Sequence, residues 1–418
     1  MKRLIVAALA ACTLMAVAGC SAPVTPASPA IPASVALASS KQIQTSSVTI
    51  GLLVGPLDGE GSEYRQVANG AEVAGFRFGL GGLTVNFKTV SEDGTADSAK
   101  KAMQTLIEAG VTGVIVADAG PHLADALDAA STAGIATLLP YDYANQVSAP
   151  IYRTGPSAET LAAGLKTALA NAHVSRPVVV SQNGYEITGV TDDVNESLTY
   201  VGDPVTTASA VTLAISNTQA DAVIIEAPAV VQADIVTHIQ ALLGDKQLPI
   251  ILTPQALTPA FAAGLGPVAD LRGVLITVGR NTDDMVALQT GPQGDNMSAF
   301  LQAVRMAADS PTARNIFGDD SFASAAAYAD TASHDAVVCL VRAAEQVAAG
   351  SAATVSAALG GLSLDINEGL AGGLLKFSST ETLAANQVIT LYGSSQNPGL
   401  RPQPTDNTVT RLSWVGLG

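Results

Sequence analysis

Cysteine, aromatic residues and basic residues are all scarce in this sequence of 418 residues. It contains three cysteines and one tryptophan, and aromatic residues make up 4% of the chain. Its 20 Lys and Arg residues are outnumbered by 36 Asp and Glu residues, which gives a formal net charge of −16. A field of that sign repels nucleic acid and anionic lipid headgroups, so neither is an expected partner.

The three cysteines leave no pair for an internal disulfide in the body of the protein. Cys12 lies in an apolar N-terminal segment, Cys20 follows that segment, and only Cys339 lies far along the chain. Because Cys339 stands in the apolar stretch SHDAVVCLVRAA, we expect it to be a small core residue rather than a nucleophile. Beyond residue 20 there is no apolar run of 18 residues, which argues against a transmembrane helix there.

Residues 1–19 have the layout of an export signal. A positive start at Lys2 and Arg3 precedes an apolar core over 4–17 and two small residues. This core is shorter than the roughly 20 residues that a membrane-spanning helix needs. The sequence VAGC at 17–20 resembles the lipobox of bacterial lipoproteins, in which the cysteine is acylated, as with palmitate, and begins the mature chain. A plain secretory signal is the alternative.

The segment from 20 to 47 has the composition of a tether. Prolines recur among Ser, Ala and Thr, and large apolar residues are too few to offset the entropy of ordering the chain. We therefore expect the folded body to begin near Val48. Lipid on Cys20 would hold that body at the extracytoplasmic face of the cell membrane.

The body alternates apolar runs of strand length with helical stretches. Its roughly 370 residues are too many for one ordinary core and suit two domains. The apolar runs are continuous rather than alternating, which predicts strands covered on both faces in parallel sheets. An α/β architecture of two doubly wound lobes follows. The predicted strands are VTIGLLV at 48, LTVNFKTV at 83, GVIVAD at 113, IATLLP at 135, PVVVSQ at 177, DAVIIEA at 221, LPIILT at 248 and GVLITVG at 273.

The order of these phrases resembles the leucine/isoleucine/valine-binding protein family, which has the type I periplasmic solute-binding fold. The resemblance runs from about 48 to 393 and also includes YRTGPSAET, HDAVVCLVRAAEQV and GLAGGLLKF. It implies two lobes joined by three crossover segments, with ligand held between them by hinge closure. The implied lobe 1 is 48–156 plus 273–366, and the implied lobe 2 is 157–272 plus 367–414.

The resemblance also implies where ligand would bind. His122 stands near a position where the family has a serine, Asp142 aligns with a small residue, and Gln255 lies near a position that is often acidic. Asp142 or Glu226 can pair with a ligand ammonium, whereas His122 and backbone N–H groups can take a carboxylate. The alternative is that these acids are solvated or cap turns. The implied contacts are Tyr64, Gly120, His122, Asp142, Tyr143, Tyr185, Glu226 and Gln255.

These observations predict a monomeric, lipid-anchored solute-binding protein that delivers a small ligand to the permease subunits of an ABC importer. Because the only tryptophan, Trp414, lies in the tail, a small polar or amino-acid-like solute is favoured over a stacked sugar. No enzyme is expected, since the S-x-x-K spacing at 98–101 lacks its partner motifs. No metal or cofactor is expected either, because the four histidines are scattered. A sensory or scaffolding lipoprotein of the same fold is the other hypothesis.

Overall fold

The structure is a computed structural model, and it describes residues 34–39, 47–57, 61–187, 190, 194, 196–243, 248–266, 273–348, 350–402 and 411–416. The predicted signal and Cys20 lie outside these residues. No helix in the described ranges combines the length and the apolar character needed to cross a bilayer.

The first lobe is built on a five-stranded sheet whose strand order is β2-β1-β3-β4-β5. All its neighbouring strands are parallel, as the continuous apolar runs predict. Its central strand β3 is buried at every position, whereas the edge strand β2 alternates between exposed and half-buried residues. The strands are β1 Ser47–Val54, β2 Thr84–Ser91, β3 Gly113–Ala117, β4 Thr137–Leu139 and β5 Ile151–Arg153.

The second lobe is built on a seven-stranded sheet with the order β14-β13-β10-β9-β8-β6-β7. Strands β6 to β10 are parallel, and the last two strands join antiparallel to one edge. The strands are β6 Pro177–Ser181, β7 Glu196–Thr199, β8 Ala222–Glu226, β9 Ile250–Leu252, β10 Leu275–Arg280, β13 Val388–Ser394 and β14 Ser413–Gly416. A separate pair of short strands comprises β11 Ser363–Leu364 and β12 Leu375–Lys376.

Helices cover the faces of both sheets, and polar residues fix where several of them begin. The side chains of Thr95, Ser157, Asp203 and Asp330 each accept a hydrogen bond from a backbone N–H of the first turn. The helices are α1 Ser62–Val67, α2 Gly70–Leu80, α3 Ala96–Glu108, α4 Ala124–Ala133, α5 Ala158–Asn171, α6 Pro204–Thr218, α7 Ala229–Leu243, α8 Pro259–Gly264, α9 Pro292–Ala308, α10 Thr331–Gln346 and α11 Ala352–Leu359.

Two of the predicted lobe boundaries need correction. We placed 273–366 in lobe 1, but β10 is hydrogen-bonded between β9 and β13 in the second sheet. The chain therefore returns to the first lobe only after Arg280. The resemblance also implies that residues from 367 onward belong to lobe 2, but Phe377 packs edge-to-face against Tyr152 of β5, and the N–H of Thr382 donates to the carbonyl of Arg153 at 3.1 Å. The last crossing lies just before β13, because these contacts keep the preceding segment on the first lobe.

A buried ion-pair network joins the two lobes where β10 ends. Asp335, on α10 of the first lobe, is fully buried. Its Oδ1 accepts a hydrogen bond from the N–H of Ala371 at 2.8 Å, and its Oδ2 accepts from the N–H of Gly372 at 2.9 Å. Arg280 from the second sheet donates through Nη2 to the same Oδ2 at 3.2 Å. The Asp335 carboxylate thus links helix α10, the backbone at 371–372 and the end of β10.

We predict that Asp335→Asn destabilises the fold. The amide cannot accept the hydrogen bonds of both oxygens, and Arg280 loses its charge partner in a buried site, so the loss in unfolding free energy should be about 3 kcal/mol. Urea unfolding measures it. The matched control is Asp125→Asn, whose exposed carboxylate lies 3.6 Å from Lys100 and should cost less than about 1 kcal/mol. Equal effects of the two substitutions would contradict the assignment.

Candidate functional site

A cavity of about 240 Å³ lies between the two lobes. Loops that follow the carboxyl ends of parallel strands form part of its wall. Tyr141 and Tyr143 follow β4, Gln255 follows β9, and Asp283 follows β10. The carboxyl edge is where ligands of open parallel sheets bind. The size suits a metabolite rather than a polymer.

Aromatic rings form one side of this cavity. Tyr64 and Tyr141 stack with their centroids 4.9 Å apart, and the Tyr141 hydroxyl donates to Asp330 Oδ2 at 2.8 Å. Burial raises the pKa of both tyrosines well above the usual value, so both hydroxyls stay protonated at neutral pH. Trp414 also lines the cavity. We expected Trp414 to lie in the tail, away from the site. This expectation was wrong, because β14 brings the C-terminal segment back to the cavity.

Charged residues from the second half of the chain form another part of the wall. The buried carboxylate of Asp284 accepts from Arg401 Nε at 2.9 Å and lies 2.7 Å from Arg411 Nη2. This shared carboxylate neutralises part of the positive charge. The Nε of Arg411 is buried and has no hydrogen-bond partner among the described residues. A buried donor without a partner is costly, so this N–H suits an acceptor supplied by a ligand.

Gln255 supplies a polar group of the opposite kind. Its Nε2 donates to the hydroxyl of Tyr143 at 3.2 Å, which spans the two lobes. Its Oε1 is buried and accepts no hydrogen bond within the described part of the chain. The cavity wall thus presents an acceptor on Gln255 and a donor on Arg411, which together suit a small molecule that carries both kinds of group.

The eight sequence-predicted contacts fall into two groups. Tyr64, Tyr143 and Gln255 line the cavity. The other five are absent from the described lining, and their predicted contact with ligand remains a prediction. These five are Gly120, His122, Asp142, Tyr185 and Glu226.

Asp142 holds two loops together beside the cavity. It is buried, and its Oδ2 accepts from the N–H of Gly120 at 3.1 Å and from Asn145 Nδ2 at 2.6 Å. Its Oδ1 accepts from the backbone N–H groups of Ala144 and Asn145 at 3.1 and 2.8 Å. With both oxygens engaged, the carboxylate fixes the loops after β3 and β4, as the turn-capping alternative describes.

Glu226 and Tyr185 lie together at the carboxyl edge of the second sheet. Glu226 ends β8, and its Oε1 accepts from the N–H of Ile187 at 3.2 Å. Burial raises the pKa of Glu226 to about 7, although that hydrogen bond opposes the shift. The backbone N–H of Tyr185 donates to the carbonyl of Gln182 at 3.0 Å, next to this carboxyl.

His122 lies against two buried acids at the edge of the first sheet. Its Nε2 is 3.1 Å from Asp118 Oδ2 and 3.7 Å from Glu92 Oε2. The hydrogen bond with Asp118 raises the pKa of His122. Burial and the adjacent carboxyl group of Asp118 raise the pKa of Glu92 to about 7. These groups make a compact titratable cluster that no short sequence motif connects.

Sequence reasoning missed most of the charged wall of the cavity. Residues 281–284 follow the predicted strand GVLITVG, and their position at a carboxyl edge is a usable signal for Asp283 and Asp284. No comparable signal exists for Arg401 and Arg411. They follow the last crossing and reach the cavity only because of how the tail folds back.

Comparison with known proteins supports the architecture. The sequence matches no protein-family model and no curated protein. Among solved structures, a solute-binding protein of an ABC transporter from R. palustris in complex with benzoate has a TM-score of 0.63 at 18% identity, covering 89% of this chain and 96% of that one. A type 1 periplasmic binding protein from Bordetella pertussis Tohama I also has a TM-score of 0.63, at 15% identity, covering 86% and 100%.

A branched-chain amino acid transporter substrate-binding protein from Streptococcus pneumoniae, in complex with isoleucine, is similar as well. Its TM-score is 0.60 at 14% identity, covering 89% of this chain and 100% of that one. The likeness extends over nearly all the described body and includes both lobes. The chain therefore has the type I periplasmic binding protein fold, as the resemblance in the order of its sequence phrases implies.

Proposed function

We propose that this protein is the solute-binding component of an ABC importer and works outside the cytoplasm. The observation that carries the proposal is the cavity between the lobes, with Tyr64 and Tyr143 on one side and Gln255 on the other. Solved proteins of the same fold include solute-binding proteins in complex with isoleucine and with benzoate. The proposed role is capture and delivery without a chemical step.

The proposed ligand is a small amino-acid-like solute that carries a carboxylate. Arg411 offers its unpaired Nε to one carboxylate oxygen, and a charge-assisted hydrogen bond of this kind is the strongest that the wall can provide. Gln255 Oε1 would accept from an ammonium or hydroxyl group of the ligand. Tyr64 and Tyr141 offer a stacked apolar surface for the rest of the molecule.

Hinge closure would couple binding to delivery. A ligand that contacts both lobes stabilises the closed form by the difference between its affinities for the closed and open forms. Tyr143 and Gln255 approach each other from opposite lobes, so they report closure directly. The permease would then distinguish the closed, loaded protein from the open one.

We further propose that lipid on Cys20 anchors the protein at the extracytoplasmic face of the membrane. The support is the VAGC sequence at 17–20 and the proline-rich segment that follows it. One chain gives only reversible attachment, whereas several acyl chains add their transfer free energies. The segment up to residue 47 would then let the folded body stand away from the bilayer.

We predict saturable binding of one or more small carboxylates by the purified protein. Calorimetric titration with amino acids, hydroxy acids and benzoates measures it. Gln255→Leu should weaken that binding tenfold or more, because it removes an acceptor in a desolvated wall, and tenfold corresponds to about 1.4 kcal/mol. Gln104→Leu makes the same change on the exposed face of α3 and should leave the affinity unchanged.

Three outcomes would count against all or part of this proposal. Absence of binding across the panel would favour a sensory or scaffolding lipoprotein of the same fold. If Gln255→Leu bound the ligand as tightly as Gln104→Leu and the unchanged protein do, the ligand would bind outside the cavity. Binding of benzoates but not of amino acids would keep the transport role and exclude the amino-acid-like ligand.

We predict that Cys20→Ala abolishes lipid attachment in a bacterial host. Cells labelled with an alkynyl palmitate analogue should incorporate it into the unchanged protein and not into the variant, since the acylated side chain is gone. Cys12→Ala is the matched control, because that cysteine lies inside the predicted signal and should leave labelling intact. Equal labelling of the Cys20 variant and the unchanged protein would overturn the proposed anchor.

A further inference from the structure

The strongest unexplained chemistry lies at the carboxyl edge of the first sheet, in Glu92, Asp118 and His122, which we name the edge cluster. Glu92 follows β2, Asp118 follows β3, and His122 lies in a short helical turn just beyond. The ligand atoms of the three side chains all lie within 4.8 Å of one another. The cluster is outside the described lining of the cavity and does not depend on the proposed transport function.

Two glycines make room for the carboxylate of Asp118. Strand β1 lies between β2 and β3 and ends just before Gly55. A Cβ on Gly55 would lie 3.1 Å from Asp118 Cγ, and a Cβ on Gly61 would lie 2.5 Å from Asp118 Oδ1. A side chain at either position would crowd the carboxylate. Asp118, which follows β3, can therefore lie above the end of β1 and reach the cluster with Glu92, which follows β2.

The acidic charge of this cluster is poorly compensated. Both side chains are buried, and the ion pairs that the structure shows for them go to His122 alone. Glu92 Oε2 accepts from the N–H of Gly94 at 2.6 Å, but Oε1 is buried without a hydrogen-bond partner in the described part of the chain. Buried charges are normally paired or coordinate a metal. The unpaired oxygen of a buried side chain is an observation separate from the clustering itself.

The spacing of the donor atoms fits a small cation. His122 Nε2 is 3.1 Å from Asp118 Oδ2 and 3.7 Å from Glu92 Oε2. Ligands about 2.1 Å from a tetrahedral zinc ion lie roughly 3.4 Å apart, between these two distances. One imidazole with two carboxylates is a donor set that suits zinc first and manganese second.

We propose that Glu92, Asp118 and His122 bind one divalent transition-metal ion of the zinc class, with the remaining coordination position left to water or to an exogenous ligand. The ion links the loops after β2 and β3. Through the hydrogen bond from the N–H of Gly120 to Asp142 it also stiffens the loop that carries Tyr143 to the cavity. It is a structural site beside the cavity, and no chemistry is assigned to it.

The test is calorimetric titration of the untagged, chelator-treated full chain with zinc chloride, and with manganese and magnesium chlorides in parallel. Zinc should bind with a stoichiometry of one and raise the melting temperature by roughly 3 °C or more at a hundredfold excess over Kd. His122→Ala and Glu92→Gln should each weaken zinc binding at least tenfold. His122 is partly exposed and Gln matches Glu in size, so both variants should fold.

The control is His173→Asn, at an exposed histidine whose φ of 56° asparagine tolerates. It should bind zinc as the unchanged protein does. Anomalous diffraction at the zinc edge should place one peak between the three side chains. The proposal is overturned if zinc does not bind, if binding survives in both cluster variants, or if the anomalous peak lies elsewhere. In that case Glu92 and Asp118 share a proton instead.

Discussion

Burial of the parallel strands on both faces is the constraint on which the rest of this structure depends. Strands such as β3 and β8 are buried at every position, so they have no solvent-facing side on which polar side chains could lie. Much of the polar chemistry therefore lies at or beyond the strand ends. Because parallel strands end at one edge, the loops that follow them gather there. The cavity and the edge cluster are two results of that single constraint.

The two sites solve the problem of buried charge in different ways. At the cavity, Asp284 shares its carboxylate between Arg401 and Arg411, and the Nε–H of Arg411, which has no partner among the described residues, is available to a ligand. At the edge cluster there are two acids, and within the described residues their ion pairs are both with His122. The first arrangement therefore suits an anionic group, and the second suits a cation.

The alternation of strands with helices and the parallel first sheet could be predicted from the sequence, because continuous apolar runs between helices permit few other arrangements. Tyr64, Tyr143 and Gln255 were among the contacts that the family resemblance implies, and all three line the cavity. Arg411 and Trp414 could not, since their approach depends on the antiparallel strand β14. The edge cluster was missed because Glu92 follows a different strand from Asp118 and His122, and only the fold brings it to them.

The central claim is that a ligand binds between the lobes and contacts both of them. A crystal structure of the protein, grown with the tightest-binding carboxylate from the titration panel, tests this claim most directly. We predict ligand density in the cavity, with the carboxylate against Arg411 and a donor group against Gln255. Density confined to one lobe's surface, or outside the cavity altogether, would contradict the account.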